Sequence, residues 1–164
     1  MDVCGPEDIH GRPTASSGLM YCFRPKHRGA GSAGDARWRP DLSREEEFGV
    51  FEIADANGWS DDNGNLYGLY LVKEGGRWQI LELGIRGELI ARFWHEAPAV
   101  PWHGHPLWPI EASRSGAGGS RSKIDEKQLK IALKNMSTAG LSKQVVISEV
   151  HRKRLLTGKH VRYL

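Results

Sequence analysis

Residues 66–94 read LYGLYLVKEGGRWQILELGIRGELIARFW, three apolar runs of strand length separated by glycine. Apolar runs of that length with glycine punctuation predict an antiparallel β-meander. Side chains alternate along a strand, so Tyr67, Leu69 and Leu71 share one face while Leu66, Gly68, Tyr70 and Val72 share the other. Gly75 and Gly76 offer the positive-φ positions that a tight hairpin turn needs. The second run, 78–83, sets Trp78 and Ile80 against Leu81 and Leu83; in the third, 89–94, Leu89, Ala91 and Phe93 alternate with Ile90, Arg92 and Trp94. Upstream, FGVFEIA at 48–54 also alternates and is expected to be the first strand of the sheet. A sheet that is apolar on both faces needs cover on both.

Part of that cover is expected from residues 95–111, HEAPAVPWHGHPLWPIE, whose prolines exclude a helix and disfavour an inner strand. Trp102, Leu107, Trp108 and Ile110 would lay this loop over one face, each indole contributing at about 25 cal/mol per Å² buried. The stretch 112–122 is small, polar and glycine-rich, a flexible linker. Beyond it the period becomes helical. Asp125 reads as an N-cap with Gln128 three residues on, and Ile124 with Leu129 as a hydrophobic staple. Leu129, Ala132, Leu133 and Met136 form one stripe, ending before Gly140. A second helix is expected over 142–156 with Ser142 as its cap, then an extended tail.

The fold class that follows is α+β: a four-stranded, mostly antiparallel β-meander, an aromatic and proline-rich loop over it, and a basic helical C-terminal segment. The boundaries are 1–40 for an irregular Gly/Pro-rich arm, 41–111 for the sheet and its His/Trp/Pro loop, 112–122 for the linker and 123–164 for the helical segment. Within the arm, 19–23 is a short strand candidate, and Arg24, Lys26, His27 and Arg28, followed by Arg37, Trp38 and Arg39, make a basic cluster that could touch an acidic partner or a nucleic-acid backbone but is expected to be solvated.

Composition narrows the class. A content of 39% hydrophobic and 26% charged residues is that of an ordinary globular protein, and 164 residues can bury a core without help from metal or disulfide. No window reaches the roughly 18 apolar residues of a membrane span, and the N-terminus lacks the pattern of a secretory signal. The expectation is a soluble, cytoplasmic protein with no membrane partner; its two cysteines, Cys4 and Cys22, could pair with each other but outside a secretory context are expected to be free thiols.

Charge changes the picture more. The net charge of +3 hides 13 acidic against 5 basic residues over 41–111, and 12 basic against 3 acidic over 112–164. Arg152, Lys153, Arg154, Lys159 and Arg162, with His151 and His160 among them, are a phosphate-binding pattern, for a nucleic acid or an acidic protein partner. The same charges could instead fold back onto the acidic sheet of their own chain. Tyr163 is the only aromatic residue in the segment, so any nucleic-acid contact would be dominated by the backbone. The leading functional expectation is therefore a small non-catalytic binding protein.

The alternative is catalytic. His103 and His105 have the spacing that puts two imidazoles on one side of an extended chain, and His95 or Glu96 at the end of the preceding strand could join them. Three such ligands suit a divalent transition metal, and a histidine pair suits acid–base work on a phosphodiester. Arg92 or Arg114 would then meet an anionic substrate. Histidines beside proline and tryptophan also serve as polar plugs that bond loop carbonyls. The Asp/Asn-rich stretch 55–65 carries oxygen ligands suited to calcium but lacks EF-hand spacing, and turn chemistry explains it.

Overall fold

The structure, a computed structural model, describes residues 13–24, 27–28, 36–107, 126–138, 145–157 and 161–164. Among these are three helices and a four-stranded antiparallel sheet. In chain order they are α1 (Arg44–Asn57), β1 (Leu66–Glu74), β2 (Arg77–Leu81), β3 (Ile90–Trp94), β4 (His103–Leu107), α2 (Glu126–Ser137) and α3 (Glu149–Thr157). No helix among the described residues is long and apolar enough to cross a membrane.

The α+β class and the strand count hold, but one member of the sheet changes. The stretch 48–54 lies inside α1, and the fourth strand comes from the His/Pro loop. FGVFEIA satisfies either period, and its flanks decide. Ser43 Oγ accepts from Glu46 N–H (3.1 Å) while Ser43 N–H donates to Glu46 Oε2 (2.8 Å), a capping box that starts a helix. Gly58, at φ 62°, closes its other end. Phe48, Phe51 and Ala54 then face inward together.

The strand order is β2-β1-β3-β4. Residues 70–74 of β1 pair with β2 and residues 66–69 pair with β3, so the third run lies beside the first rather than the second. Between β2 and β3, Leu83 N–H and Gly84 N–H both donate to the Glu88 carbonyl (2.9 and 3.3 Å). This closed loop takes the chain from one side of β1 to the other. Pro106 sits in β4, at the end of the strand order, where a missing N–H is tolerated.

Alternation along β1 sorts the core as expected. Tyr67 and Leu69 belong to one cluster, with Ile90, Leu107, Leu129, Leu133, Met136, Ile147 and Leu155. Leu66 belongs to the other, with Phe93, Phe48, Phe51, Tyr21, Trp38 and Trp102. The second face is thus covered by α1 and the N-terminal arm, and the loop tryptophan Trp102 serves α1's side while Leu107 serves the helices' side. Trp108, Ile110 and the 112–122 linker lie outside the described residues.

The arm is exposed over 15–18 and at Met20, but its aromatic residues are buried: Tyr21 is 1%, Phe23 5% and Trp38 2% exposed. Its anchor is Glu47, buried in the first turn of α1. Tyr21 Oη donates to Glu47 Oε1 (2.5 Å), and the Arg28 guanidinium meets Oε2 through Nε (2.7 Å) and Nη2 (2.5 Å). Arg28 also donates to the carbonyls of Leu42 and Ser43. Cys22 is disulfide-bonded rather than a free thiol, and the other cysteine, Cys4, lies outside the described residues.

At the C-terminal end, α2 buries the predicted stripe of Leu129, Ala132, Leu133 and Met136. Its proposed cap Asp125 and stop Gly140 are outside the described residues, as is Ser142. The next helix starts later than its periodicity suggests. Val145 and Ile147 lie outside any helix and are buried, Ile147 N–H donates to Met136 O (2.8 Å), and α3 begins after Ser148, whose Oγ accepts from His151 N–H (3.2 Å). The tail is extended as expected and lies along β2, with Ile80 N–H donating to Arg162 O and Leu164 N–H to Trp78 O.

Candidate functional site

Two places gather the residues that the sequence singles out. The first is the β4 end of the sheet. His103 and His105 are two residues apart in a strand and so share a face, opposite Trp94 and Arg92 of β3. The Trp94 ring centroid is 4.4 Å from that of His103 and 5.1 Å from that of His105, and the Arg92 guanidinium lies 5.4 Å over the same indole. Tyr67, paired with Arg92 on β1, donates its hydroxyl to Asp61 Oδ2 (2.9 Å). The arm adds Arg24 and His27, both buried.

Their hydrogen bonds assign the imidazole tautomers. A guanidinium only donates, so His103 Nδ1, 3.3 Å from Arg24 Nη2, is the acceptor and its proton sits on Nε2, 3.6 Å from Glu96 Oε1. Nδ1 of His103 is thus engaged by the Arg24 guanidinium. His105 and His27 are opposite in sense. His105 Nδ1 lies 2.6 Å from Pro106 O and His27 Nδ1 lies 2.8 Å from Ala36 O, and a carbonyl only accepts. Both therefore carry Nδ1–H, with Nε2 as the basic nitrogen. Their ring centroids are 4.9 Å apart.

His95 does not join this group. Because Trp94 pairs with His103, the residues next to them point to the other face, and His95 stacks on Trp102 at 4.3 Å and 15°. The set His95, His103 and His105 is thus divided by the sheet. Among the described residues no group of three or more His, Cys, Asp or Glu side chains is placed to hold a metal ion. Glu96 does reach His103, as one of the two expected partners. Arg114 lies outside the described residues. The loop considered for calcium spends its central carboxylate internally: Asp61 accepts from Asn63 N–H, Asn65 N–H, Asn65 Nδ2 and Tyr67 Oη. The sequence offers Arg24 and His27 only as part of a basic cluster, and nothing local in it places them beside His103 and His105.

The second place is the basic C-terminal surface. Of its predicted residues, Arg152, Lys153, Arg154 and Arg162 are described, and Lys159 is not. Arg152 is bound to Glu149 on its own helix (2.7 Å), and that contact, first among several, lowers the Glu149 carboxyl below its ordinary value. Arg162 lies 5.1 Å over the Tyr163 ring, and Arg77 of β2 lies 4.7 Å over it. Val150, His151, Arg154, Val161, Arg162 and Tyr163 line a depression of about 410 Å³. Among the described residues no carboxylate lines it. Comparison of the chain with family models, curated proteins and solved structures finds no match.

Proposed function

We propose that the protein is a small non-catalytic binding protein that takes phosphate groups of a nucleic acid onto the surface formed by α3 and the C-terminal tail. The depression that brings His151, Arg154 and Arg162 together beside Tyr163 carries this reading. Three donors of positive or protonatable character around one concavity suit a tetrahedral anion, and Arg donates in a fixed fork matched to phosphate oxygens. An acidic protein segment would answer the same charges. Cytoplasm, where such phosphates abound, is the compartment proposed, and the Cys22 disulfide stands against it, because disulfides persist mainly in oxidising compartments.

Binding of a single-stranded oligonucleotide across a salt series tests the proposal. On a single strand each neutralised phosphate contributes about 0.7 unit to the slope of log K against log salt, so the double variant R154A/R162A is expected to flatten it by about 1.4 units. Both residues are exposed, so the fold should persist. An unchanged slope defeats the proposal. Displacement of the strand by an acidic peptide at equal charge would point to the protein partner instead.

The tautomers at β4 favour a second, catalytic reading. His105 and His27 present basic nitrogens on one side of the sheet with Arg92 near, the groups that acid–base hydrolysis of a phosphodiester requires. Here His105 carries the chemistry, His103 positions Glu96, and His95 has no part. His105→Asn should then lower RNA hydrolysis by about 100-fold or more, while His95→Ala leaves the rate unchanged. Absence of turnover in the wild-type protein, or a rate that survives His105→Asn, rejects this reading.

A further inference from the structure

Arg162 lines two concavities. Besides the depression on the α3 side, it borders a cavity of about 640 Å³ shared by the arm, the first turn of α1 and the outer half of the sheet. That volume falls within the range of small-molecule sites, roughly 300–1,000 Å³. Leu42, Ile80 and Leu81 line it with apolar surface, Tyr70 with a half-buried aromatic ring, Arg39, Gln79 and Arg162 with donors, and Asp41, Glu46 and Glu82 with carboxylates, of which Glu46 is already held by Ser43 N–H (2.8 Å) and by the Tyr70 hydroxyl.

The carboxylates are not equivalent. Arg39 holds Asp41 with two bonds, Nε to Oδ1 at 3.0 Å and Nη2 to Oδ2 at 2.9 Å. It reaches Glu82 only at 3.7 Å, beyond hydrogen-bonding distance. Asp41 is thus committed to Arg39, whereas Glu82, 46% exposed, keeps its acceptor capacity. Such a lining takes a flat group with one face against the apolar side chains and N–H donors along its edge, and Arg162, which also lines it, takes a phosphate attached to that group.

We infer that the cavity is a nucleobase subsite, so that the ligand of the basic surface is a nucleotide or single strand whose base stacks near Tyr70 and donates to Glu82. This rests on the phosphate-binding reading above. Guanine fits best, because its N1–H and N2–H lie side by side and can both meet one carboxylate. Duplex, with its bases paired, would leave the cavity unused.

A guanosine-rich single strand and an abasic strand of equal length and charge separate the two claims. The wild-type protein should bind the base-bearing strand at least about tenfold more tightly. Glu82→Ala, at an exposed site, should erase most of that preference without weakening the abasic strand, and Tyr70→Ala should do the same. Equal binding of both strands by the wild-type protein, or a preference that survives Glu82→Ala, overturns the base subsite while leaving the phosphate surface standing. Failure of both strands to bind overturns both.

Discussion

Replacing Arg28 by Ala is expected to destabilise the protein by about 3–5 kcal/mol, because it strands the Glu47 carboxylate in the core. Glu47 is 1% exposed, and Arg28 is its cationic partner at 2.5 Å as well as a donor to two carbonyls at the start of α1. Truncating one member of a buried ion pair costs more than removing both. Glu47→Gln in the Arg28→Ala background should therefore recover part of the loss, and urea unfolding of the four proteins in that cycle measures it.

The pH dependence has a definite sign. Burial holds the Glu47 carboxyl above its ordinary value of 4.5, against the pull of Arg28 and the Tyr21 hydroxyl. A carboxyl raised on folding binds its proton more tightly in the native state. Its favourable contribution is then full below 4.5 and diminishes as pH rises towards the folded value. The wild-type protein should lose stability over that interval, Glu47→Gln should lose less, and Arg28→Ala should lose more. A cycle with no recovery, or a pH profile unchanged by Glu47→Gln, would show that the carboxyl is not the anchor of the arm.

This network was beyond the reach of the sequence for a physical reason. Glu47 sits in an acidic run, Arg28 in a basic cluster expected to be solvated and Tyr21 in a short strand candidate, and nothing local joins them because the partners are distant along the chain. What the sequence did disclose was local periodicity. The alternation that separated Tyr67 and Leu69 from Leu66 matches the two clusters of the core, and the stripe through Leu129 and Met136 is the buried face of α2. Where one segment fits two periods, as 48–54 does, the cap at Ser43 and not the apolar pattern chose the helix. The same distinction governs the site. The H-x-H spacing in β4 showed that His103 and His105 share a face, but register alone reveals that His95 faces the other way, and only the fold brings His27 to His105.

Gly68→Ala should cost about 2–3 kcal/mol, although most residues suit a strand better than glycine does. α1 crosses β1 here without a side chain between them. A Cβ on Gly68 would lie 2.5 Å from the Val50 carbonyl oxygen, 2.8 Å from Val50 Cγ1 and 3.2 Å from Phe93 Cε2. The first of these atoms is helix backbone, so relief requires α1 itself to move away from the sheet, opening the cluster around Phe51 and Phe93. Val50→Ala removes only the second contact, and Gly68→Ala should remain costly in that background. A Cβ on Gly49, one residue earlier on the same helix, would meet nothing within 4 Å. Gly49→Ala should therefore stabilise by about 0.5–1 kcal/mol through helix propensity alone. Opposite signs for these two glycines in urea unfolding would establish that the helix rests directly on the strand. If Gly68→Ala proved neutral, the helix could not lie that close, and the packing that anchors the arm to the sheet would have to be redrawn.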